Sequence, residues 1–471
     1  MHSRGIVGFI WQVVRASLFI ASCSLLKLPL TPVVVFVYLV AIVIRQRMGV
    51  VDLLSVWLVA VPFLGPNMTV NLGPVPDLNF SRLFALLLIF CQVRKGDRMI
   101  SHGRLLSNKL DYFLLMFLGA CLLSIPGSVM VRTPLRLFLD ASLIPCIYYF
   151  AAKRSVDQPD FLPKIFIASW LAVSALAGMG LYEGLSGHDL LKFEDESSHA
   201  EGTDDFRVNG PFGTAEQYGL ILSMLLMIVL VLKPMRNAGL VRRRYLRWTC
   251  LLAVGAALCT WTRTVWLSLA MSWLVFQTRR RPVFTLGFTA LVLTLGWFLT
   301  QSVLPQIFGD LWQQRVAQEK TVYARIATYQ SAFAMFKDHP LLGVGFGAFT
   351  ENWERFPERY AFEYEGVRSV STPHNGFLAI LSEMGLIGAL AFVALQTQVF
   401  RSAARLSRVA DGLLDGYYAE AVIAIAIAFI VAGFTLSFTH DTGFVNKIYF
   451  LVIGALSGMI DGSFRRLGGS H

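Results

Sequence analysis

The sequence predicts an all-α fold, a polytopic transmembrane helix bundle of about 12–14 spans. Hydrophobic residues make up 55% of the 471-residue chain, and its mean hydropathy is +0.59, which is unusual for a soluble domain. Apolar runs long enough to cross a hydrocarbon core of about 30 Å recur along nearly the whole chain. Basic residues are concentrated in the short connectors between these runs, which is the positive-inside pattern of a multi-span protein.

The predicted spans follow from the positions of the apolar runs. Arg15 interrupts the first run, so this segment could instead lie along the membrane interface. The runs lie near residues 6–26, 30–44, 50–64, 79–93, 110–126, 133–151, 161–183, 215–232, 248–262, 264–278, 283–304, 374–400, 418–438 and 446–463.

The connectors rich in Lys and Arg fall at alternate positions along the chain, so all of them can be cytoplasmic at once. This orientation places both termini in the cytoplasm. It places three other segments outside, at 65–78, 184–214 and 305–373. The sequence therefore predicts N-terminal transmembrane helices at 1–304 with an outer loop at 184–214, a large periplasmic loop with amphipathic helices at 305–373, and C-terminal transmembrane helices at 374–471.

Charge and cysteine content exclude several classes of function. The net charge of +11 reflects membrane topology rather than a polyanion partner, because the basic residues lie in the connectors, so no nucleic acid is expected. The six cysteines lie in or beside apolar runs without metal-ligand spacing, and no disulfide is expected in the outer loops. An acidic cluster at 194–205 has two interpretations: a solvated loop, or a cation or sugar-hydroxyl site whose geometry nothing fixes.

The large outer loop contains a predicted amphipathic helix between residues 322 and 337. Ile326, Tyr329, Phe333 and Phe336 recur there at helical spacing. Pro340 ends the helix, because the residue before a proline is disfavoured in the α region.

Three glycines follow this helix at alternate positions, Gly343, Gly345 and Gly347. They permit backbone turns close to another surface. They are not a dinucleotide fingerprint, because no βαβ pattern surrounds them.

Four basic residues lie at the outer side, where the topology does not require them: Arg207, Arg263, Arg325 and His374. Arg263 stands between two apolar runs with almost no connector, where a guanidinium is costly unless it faces a polar cavity or an anion. Its fork can donate two parallel hydrogen bonds to a phosphate. Alternatively, the side chain of Arg263 snorkels to the outer lipid headgroups. The alternative for Arg325 is an ordinary surface arginine.

His374 is a candidate general base. Thr372 would be a good N-cap and Pro373 suits the first helical position, which would place His374 in the first turn of the next span. The helix dipole there favours the neutral imidazole, which can accept a proton. The alternative is a histidine that only belongs to the helix cap. Glu383, nine residues into the same apolar run, could orient an arginine or stabilise helix packing.

Several motifs occur in a recognisable order. They are Arg207-Val208-Asn209-Gly210, Thr260-Trp261-Thr262-Arg263, Arg325, the run His339-Pro340-Leu341-Leu342-Gly343-Val344-Gly345-Phe346-Gly347, and His374-Asn375-Gly376-Phe377-Leu378 with Leu381 to Gly388. Between residues 207 and 388 the chain resembles the O-antigen ligase and polysaccharide polymerase superfamily.

The resemblance implies a C-type glycosyltransferase of the bacterial inner membrane. Such an enzyme moves a glycan from undecaprenyl pyrophosphate to an acceptor hydroxyl on the periplasmic side, with inversion and without a metal or other cofactor. It implies that His374 is the base, and that Arg263, Arg325 and, with less support, Arg207 bind the pyrophosphate. Glu383, Asn375 and Tyr329 are expected to support the site.

The motifs leave the acceptor open. A polymerase joining repeat units of O-antigen or exopolysaccharide is favoured, with the lipid bilayer, a glycan or lipid-linked acceptor and a chain-length regulator as partners. A ligase acting on lipid A core for lipopolysaccharide uses the same chemistry. A third hypothesis is a transporter of the lipid-linked glycan, for which Asp140 and Glu383 are the candidate intramembrane carboxylates.

Overall fold

The computed structural model describes residues 3–25, 31–46, 48–63, 69–70, 78–94, 106–128, 132–190, 207–232, 240–278, 319–353, 373–410, 414–440 and 443–468. These residues are almost entirely helical. The helices are α1 (Ser3–Leu25), α2 (Thr31–Gln46), α3 (Val50–Ala60), α4 (Phe80–Arg94), α5 (Lys109–Ser124), α6 (Arg132–Phe138), α7 (Ile144–Ser155), α8 (Phe161–Ser186), α9 (Ala215–Val231), α10 (Arg243–Cys259), α11 (Arg263–Thr278), α12 (Glu319–Asp338), α13 (Phe349–Trp353), α14 (Gly376–Val409), α15 (Leu414–Ala432) and α16 (Val445–Gly468).

The helices confirm the predicted fold class, an all-α polytopic membrane protein. Within the described residues, six helical segments are long and apolar enough to cross a membrane, and four shorter apolar helices accompany them. The predicted run at 283–304 lies outside the described residues. Two short strands, β1 (Thr69–Val70) and β2 (Leu78–Asn79), pair antiparallel in the first outer segment.

A π-helical segment, Leu139–Leu143, joins α6 to α7 within one membrane-spanning unit. It carries the buried Asp140, whose two carboxylate oxygens accept from Arg82 Nε at 2.9 Å and Arg82 Nη2 at 2.6 Å. Removing either partner would leave an uncompensated buried charge, which costs several kcal/mol, about 3–5. Asp140 therefore joins the first turn of α4 to this unit.

Helices α7 and α16 pack closely because α16 presents glycines four residues apart. A Cβ on Gly454 or Gly458 would overlap the backbone of Tyr149 or Lys153, so only glycine allows this approach. At the same end of the bundle, Lys153 pairs with Asp111 and, at 3.2 Å, with Asp461. The paired charges tie α5, α7 and α16 together.

Helix α12 occurs as predicted, but the predicted apolar stripe is not the face that packs against the protein. Ile326 and Phe333 are exposed. The buried face consists of small residues and Met335, and it forms a small core with α13 and the first half of α14. Small side chains let α12 approach its neighbours closely, while the larger residues remain on the outside.

Helix α15 ends earlier than its apolar run suggests. The predicted span at 418–438 continues six residues past the last helical residue, Ala432. The backbone turns back at Gly433 and Thr435, whose N–H groups donate to carbonyls three or four residues earlier. Residues 433–444, of which 441 and 442 are not described, are called here the α15–α16 connector.

Candidate functional site

Helix α14 is broken near its start, and the glycine-rich segment fills the break. Gly385 has φ 62° and ψ −160°, a conformation that is nearly restricted to glycine. The break frees backbone carbonyls and N–H groups, which segment 340–347 satisfies as a neighbouring strand would. The hydrogen bonds run from Val344 N to Ser382 O (2.9 Å), Gly345 N to Glu383 O (3.0 Å), Leu386 N to Pro340 O (2.8 Å) and Ile387 N to Leu341 O (3.2 Å).

The three glycines of this segment have the conformational role predicted for them. Gly343, Gly345 and Gly347 have φ values of 69°, 116° and 69°. A Cβ on Gly343 would overlap the backbone of Glu383, and one on Gly345 would lie 2.7 Å from Ser128 Cβ. The segment is therefore held between α14 and the turn that follows α5.

Glu383 lies fully buried two residues before Gly385. Its carboxylate accepts hydrogen bonds from Gly347 N at 3.0 Å and Phe349 N at 3.3 Å. His440 Nδ1 lies 3.5 Å from Glu383 Oε1. Of the two predicted roles, these contacts favour stabilisation of the packed structure, since Glu383 holds the end of the glycine segment and the start of α13.

The start of α14 differs from the prediction. Asn375 is the N-cap, and its side chain accepts from Phe377 N and Leu378 N, both at 3.0 Å. His374 therefore lies before the cap rather than in the first turn, with φ 46° and an exposed side chain. The prediction placed the cap at Thr372, outside the described residues; Asn375 displaces it because its amide oxygen satisfies two N–H groups of the first turn.

Arg263 is the first residue of α11 and is exposed, directly after the three-residue link from α10. The preceding hydroxyl, that of Thr262, is buried and donates to Thr260 O at 2.9 Å. The link is as short as predicted, and its turn includes Trp261 at φ 50°. Arg263 therefore projects from a tightly folded corner at one end of the bundle.

The α15–α16 connector brings the starts of α11 and α14 together. Gly376, which lies two residues after His374, donates its backbone N–H to Gly433 O at 2.7 Å. Thr264, the residue after Arg263, accepts a hydrogen bond at its Oγ1 from Thr435 Oγ1 at 3.0 Å. The two predicted site residues therefore flank the same three residues of the connector.

Arg207 lies at the same end of the bundle. Its loop is held by Glu183, whose carboxylate accepts from Gly210 N at 3.0 Å, and by Phe212, whose ring lies 5.6 Å from that of Phe444 in the connector. Within the described residues, the Nε atom of Arg207 is buried and has no hydrogen-bond partner. A buried guanidinium nitrogen without a hydrogen-bond partner is costly.

His440 is a residue of this end that sequence reasoning missed. Its Nδ1 faces Glu383 and lies 3.1 Å from Thr439 Oγ1. Among the residues that the structure describes, none forms a hydrogen bond with its buried Nε2. A lone histidine in a short outer connector gives no signal by itself. His440 and Glu383 are 57 residues apart in sequence. They come into contact only because α14 packs against the α15–α16 connector.

Arg325 and Tyr329 lie one turn apart in α12. Tyr329 is half-buried, and the helix continues into the small core on α14. The acidic loop at 194–205 lies outside the described residues. Within the described residues, no group of three or more His, Cys, Asp and Glu side chains could hold a metal ion.

The fold is that of a multi-pass membrane protein, and the candidate residues Arg207, Arg263 and His374 lie at one end of its helices. A sequence model of the O-antigen ligase family matches residues 248–393, which include Arg263, Arg325, His374 and Glu383. This match supports the resemblance of this part of the chain to the O-antigen ligase family, and it supports a membrane glycan ligase or polymerase type of function. No curated protein matches the chain.

Proposed function

We propose that the protein is an inner-membrane glycosyltransferase that moves a glycan from undecaprenyl pyrophosphate to an acceptor sugar hydroxyl on the periplasmic side. Its proposed task is to polymerise repeat units of a surface polysaccharide, either O-antigen or exopolysaccharide. The observation that carries the proposal is the meeting of the starts of α11 and α14, with Arg263 and His374, at one connector; both residues lie in the part of the chain that the O-antigen ligase family matches.

The arginines suit a pyrophosphate leaving group. As the bond from the sugar C1 to the pyrophosphate oxygen breaks, negative charge grows on that oxygen, and fixed guanidinium groups stabilise it. Arg263 is exposed at the corner before α11, and the partnerless Nε of Arg207 lies at the same end. Arg325 is assigned the same role from its motif. No nucleotide site is required for this chemistry.

His374 suits a general base. Its exposed imidazole precedes the α14 N-cap, so an acceptor hydroxyl can reach it from outside the bundle. In the proposed step the acceptor oxygen attacks C1, its proton passes to the imidazole, and undecaprenyl pyrophosphate leaves. Direct attack inverts the anomeric centre. Asn375 supports the base by fixing the start of the helix.

His440 is a second imidazole at this end of the bundle, where it faces Glu383 of α14. The Glu383 carboxylate at Nδ1 favours the tautomer that carries its proton there and leaves a lone pair on Nε2. We assign Nε2 to a hydrogen bond with a sugar hydroxyl of the substrate. The buried Glu383 thus has two roles: it holds the glycine segment and orients His440.

The outer surface of α12 suits the lipid part of the donor. Ile326 and Phe333 are exposed there, and Leu341 and Leu342 continue the apolar surface into the glycine segment. An exposed apolar patch beside a membrane favours contact with acyl or polyprenyl chains. Arg325 lies on this helix, one residue before Ile326.

The engaged carboxylates disfavour a transporter. Asp140 is paired to Arg82, and Glu383 is bound by backbone N–H groups and His440. Neither is left for a coupling ion. A ligase acting on lipid A core is the second candidate, because the family that matches residues 248–393 is described as O-antigen ligase.

Reconstitution of the purified protein in liposomes tests the proposal. The donor is one undecaprenyl-pyrophosphate-linked repeat unit, supplied with and without lipid A core. A polymerase produces a ladder of longer lipid-linked glycans and releases undecaprenyl pyrophosphate without any core. A ligase releases it only with core. Movement of donor across the bilayer without release would contradict both and support a transporter.

A further inference from the structure

A separate cavity lies at the other end of α14, between α5, α14 and α16. Its volume is about 350 Å³, within the range of small-molecule sites. Arg405, on its wall, is 22 residues after Glu383, so it lies about 30 Å along the helix from the candidate site. The cavity therefore does not belong to the glycan-transfer site.

The charged residues on its wall are basic. Lys109 at the start of α5 and Arg405 near the end of α14 line the cavity and are exposed. Within the described residues neither forms an ion pair, and no acidic side chain lines the cavity. The nearby carboxylates of Asp111 and Asp461 share the single ammonium of Lys153, so these three groups together with Lys109 and Arg405 carry a net charge of +1. The cavity is therefore suited to an anion.

The rest of the wall is divided between polar and apolar residues. Leu406, Val409 and Ile460 form an apolar side together with the ring of Tyr112, while Gln398 and Ser402 form a polar side. Val409 and Tyr112 are more than half exposed, at 65% and 58%, at the ends of membrane-spanning helices. A small soluble anion would leave this apolar side unused, whereas a phospholipid would cover it with its acyl chains.

We propose that the α5–α14–α16 cavity binds the headgroup of an anionic glycerophospholipid. Basic pockets between the cytoplasmic ends of transmembrane helices bind such headgroups, and the positive-inside distribution places this end at the cytoplasmic leaflet. The lipid bridges the start of α5, the end of α14 and the end of α16. This inference does not depend on the proposed glycosyltransferase activity.

Lipid binding to the full-length protein in uncharged detergent tests the proposal. Native mass spectrometry and thermal unfolding compare phosphatidylglycerol with phosphatidylcholine of the same acyl chains. The variant Lys109→Gln with Arg405→Gln should weaken phosphatidylglycerol binding about 30-fold, since each basic residue near an anionic lipid contributes a factor of about five. Arg408→Gln is the matched control, because Arg408 is exposed on the same helix and does not line the cavity.

A second variant separates shape from charge. Ser402→Phe fills the polar side and keeps both basic residues, so it should also abolish the preference for phosphatidylglycerol; size-exclusion chromatography checks its folding. Equal binding of the two lipids, or an equal loss in Arg408→Gln, would overturn the proposal. Competition by millimolar inorganic phosphate would overturn it too, because it would identify a site for free anions. Transfer activity has no part in these readouts.

Discussion

Guanidinium geometry distinguishes phosphate recognition from simple attraction at the residue scale. We predict that Arg263→Lys and Arg325→Lys each lower glycan transfer about 10–100-fold, because lysine keeps the charge but loses the two parallel hydrogen bonds. Arg408→Lys, at the other end of the bundle, is the control and should keep full activity. The measurement is the initial rate of undecaprenyl pyrophosphate release. Full activity of both lysine variants would show that charge alone suffices.

His440 gives a second prediction at this scale. His440→Ala should lower transfer per folded molecule at least about 10-fold, because the proposed hydrogen bond from Nε2 to the substrate is lost. Loss of the contact with Glu383 also lowers stability, so the folded fraction is measured by thermal unfolding and the rate is divided by it. His188→Ala is a matched control, because His188 is exposed at the end of α8. If His440 only fills space beside Glu383, the variant will unfold at a lower temperature and its remaining folded fraction will transfer glycan normally.

The residue scale also shows where sequence reasoning ends. Arg263 was expected at a tight corner because its apolar neighbours leave almost no connector, and the structure has that corner. The cap of α14 was misplaced because Thr372 and Asn375 are both good N-caps, and only the folded backbone shows which one receives the N–H groups. No sequence pattern pointed to His440, because its contact with Glu383 of α14 is visible only in the folded structure.

The broken helix is the central feature at the scale of elements. We predict that Gly385→Ala lowers the unfolding temperature and removes most transfer activity, because a Cβ there would overlap the backbone of Leu341 and the residue would be strained at φ 62°. The cost is at least about 1–2 kcal/mol from the backbone alone.

Gly119→Ala provides the control for this change. Gly119 lies within α5, where a Cβ would meet nothing within 4 Å, so alanine should be neutral or slightly stabilising. Activity and unfolding temperature are measured for both variants in the same detergent. A Gly385→Ala protein as stable and active as Gly119→Ala would show that the glycine segment does not need the break.

The existence and approximate positions of the helices were predictable, whereas the break within α14 and some helix ends were not. Hydropathy located the helices, because each apolar run must be long enough for the bilayer. It could not reveal the break in α14, since the freed backbone groups are satisfied by a segment about 40 residues earlier in the chain. It also extended α15 past Ala432, because Phe434, Leu436 and Phe438 are apolar but lie in a turn.

Sidedness is the question at the scale of the whole molecule, because a flipped lipid-linked glycan is available only outside. In a cysteine-free parent, Lys337→Cys in α12 should react with a membrane-impermeant thiol reagent added to intact spheroplasts. Arg408→Cys should react only after permeabilisation. Both positions are exposed, so accessibility of the side chain does not bias the comparison. The reverse pattern would place the candidate site in the cytoplasm.

The central claim is that His374, beside the α15–α16 connector, is the base for glycan transfer. The most direct test is the rate of transfer from undecaprenyl-pyrophosphate-linked donor in liposomes by His374→Ala, with His339→Ala as the control. His339 is an exposed histidine of the same large loop, at the end of α12. We predict a loss of about 10²–10⁴-fold for His374→Ala and none for His339→Ala, with equal insertion of both. Near-normal transfer by His374→Ala would contradict the claim.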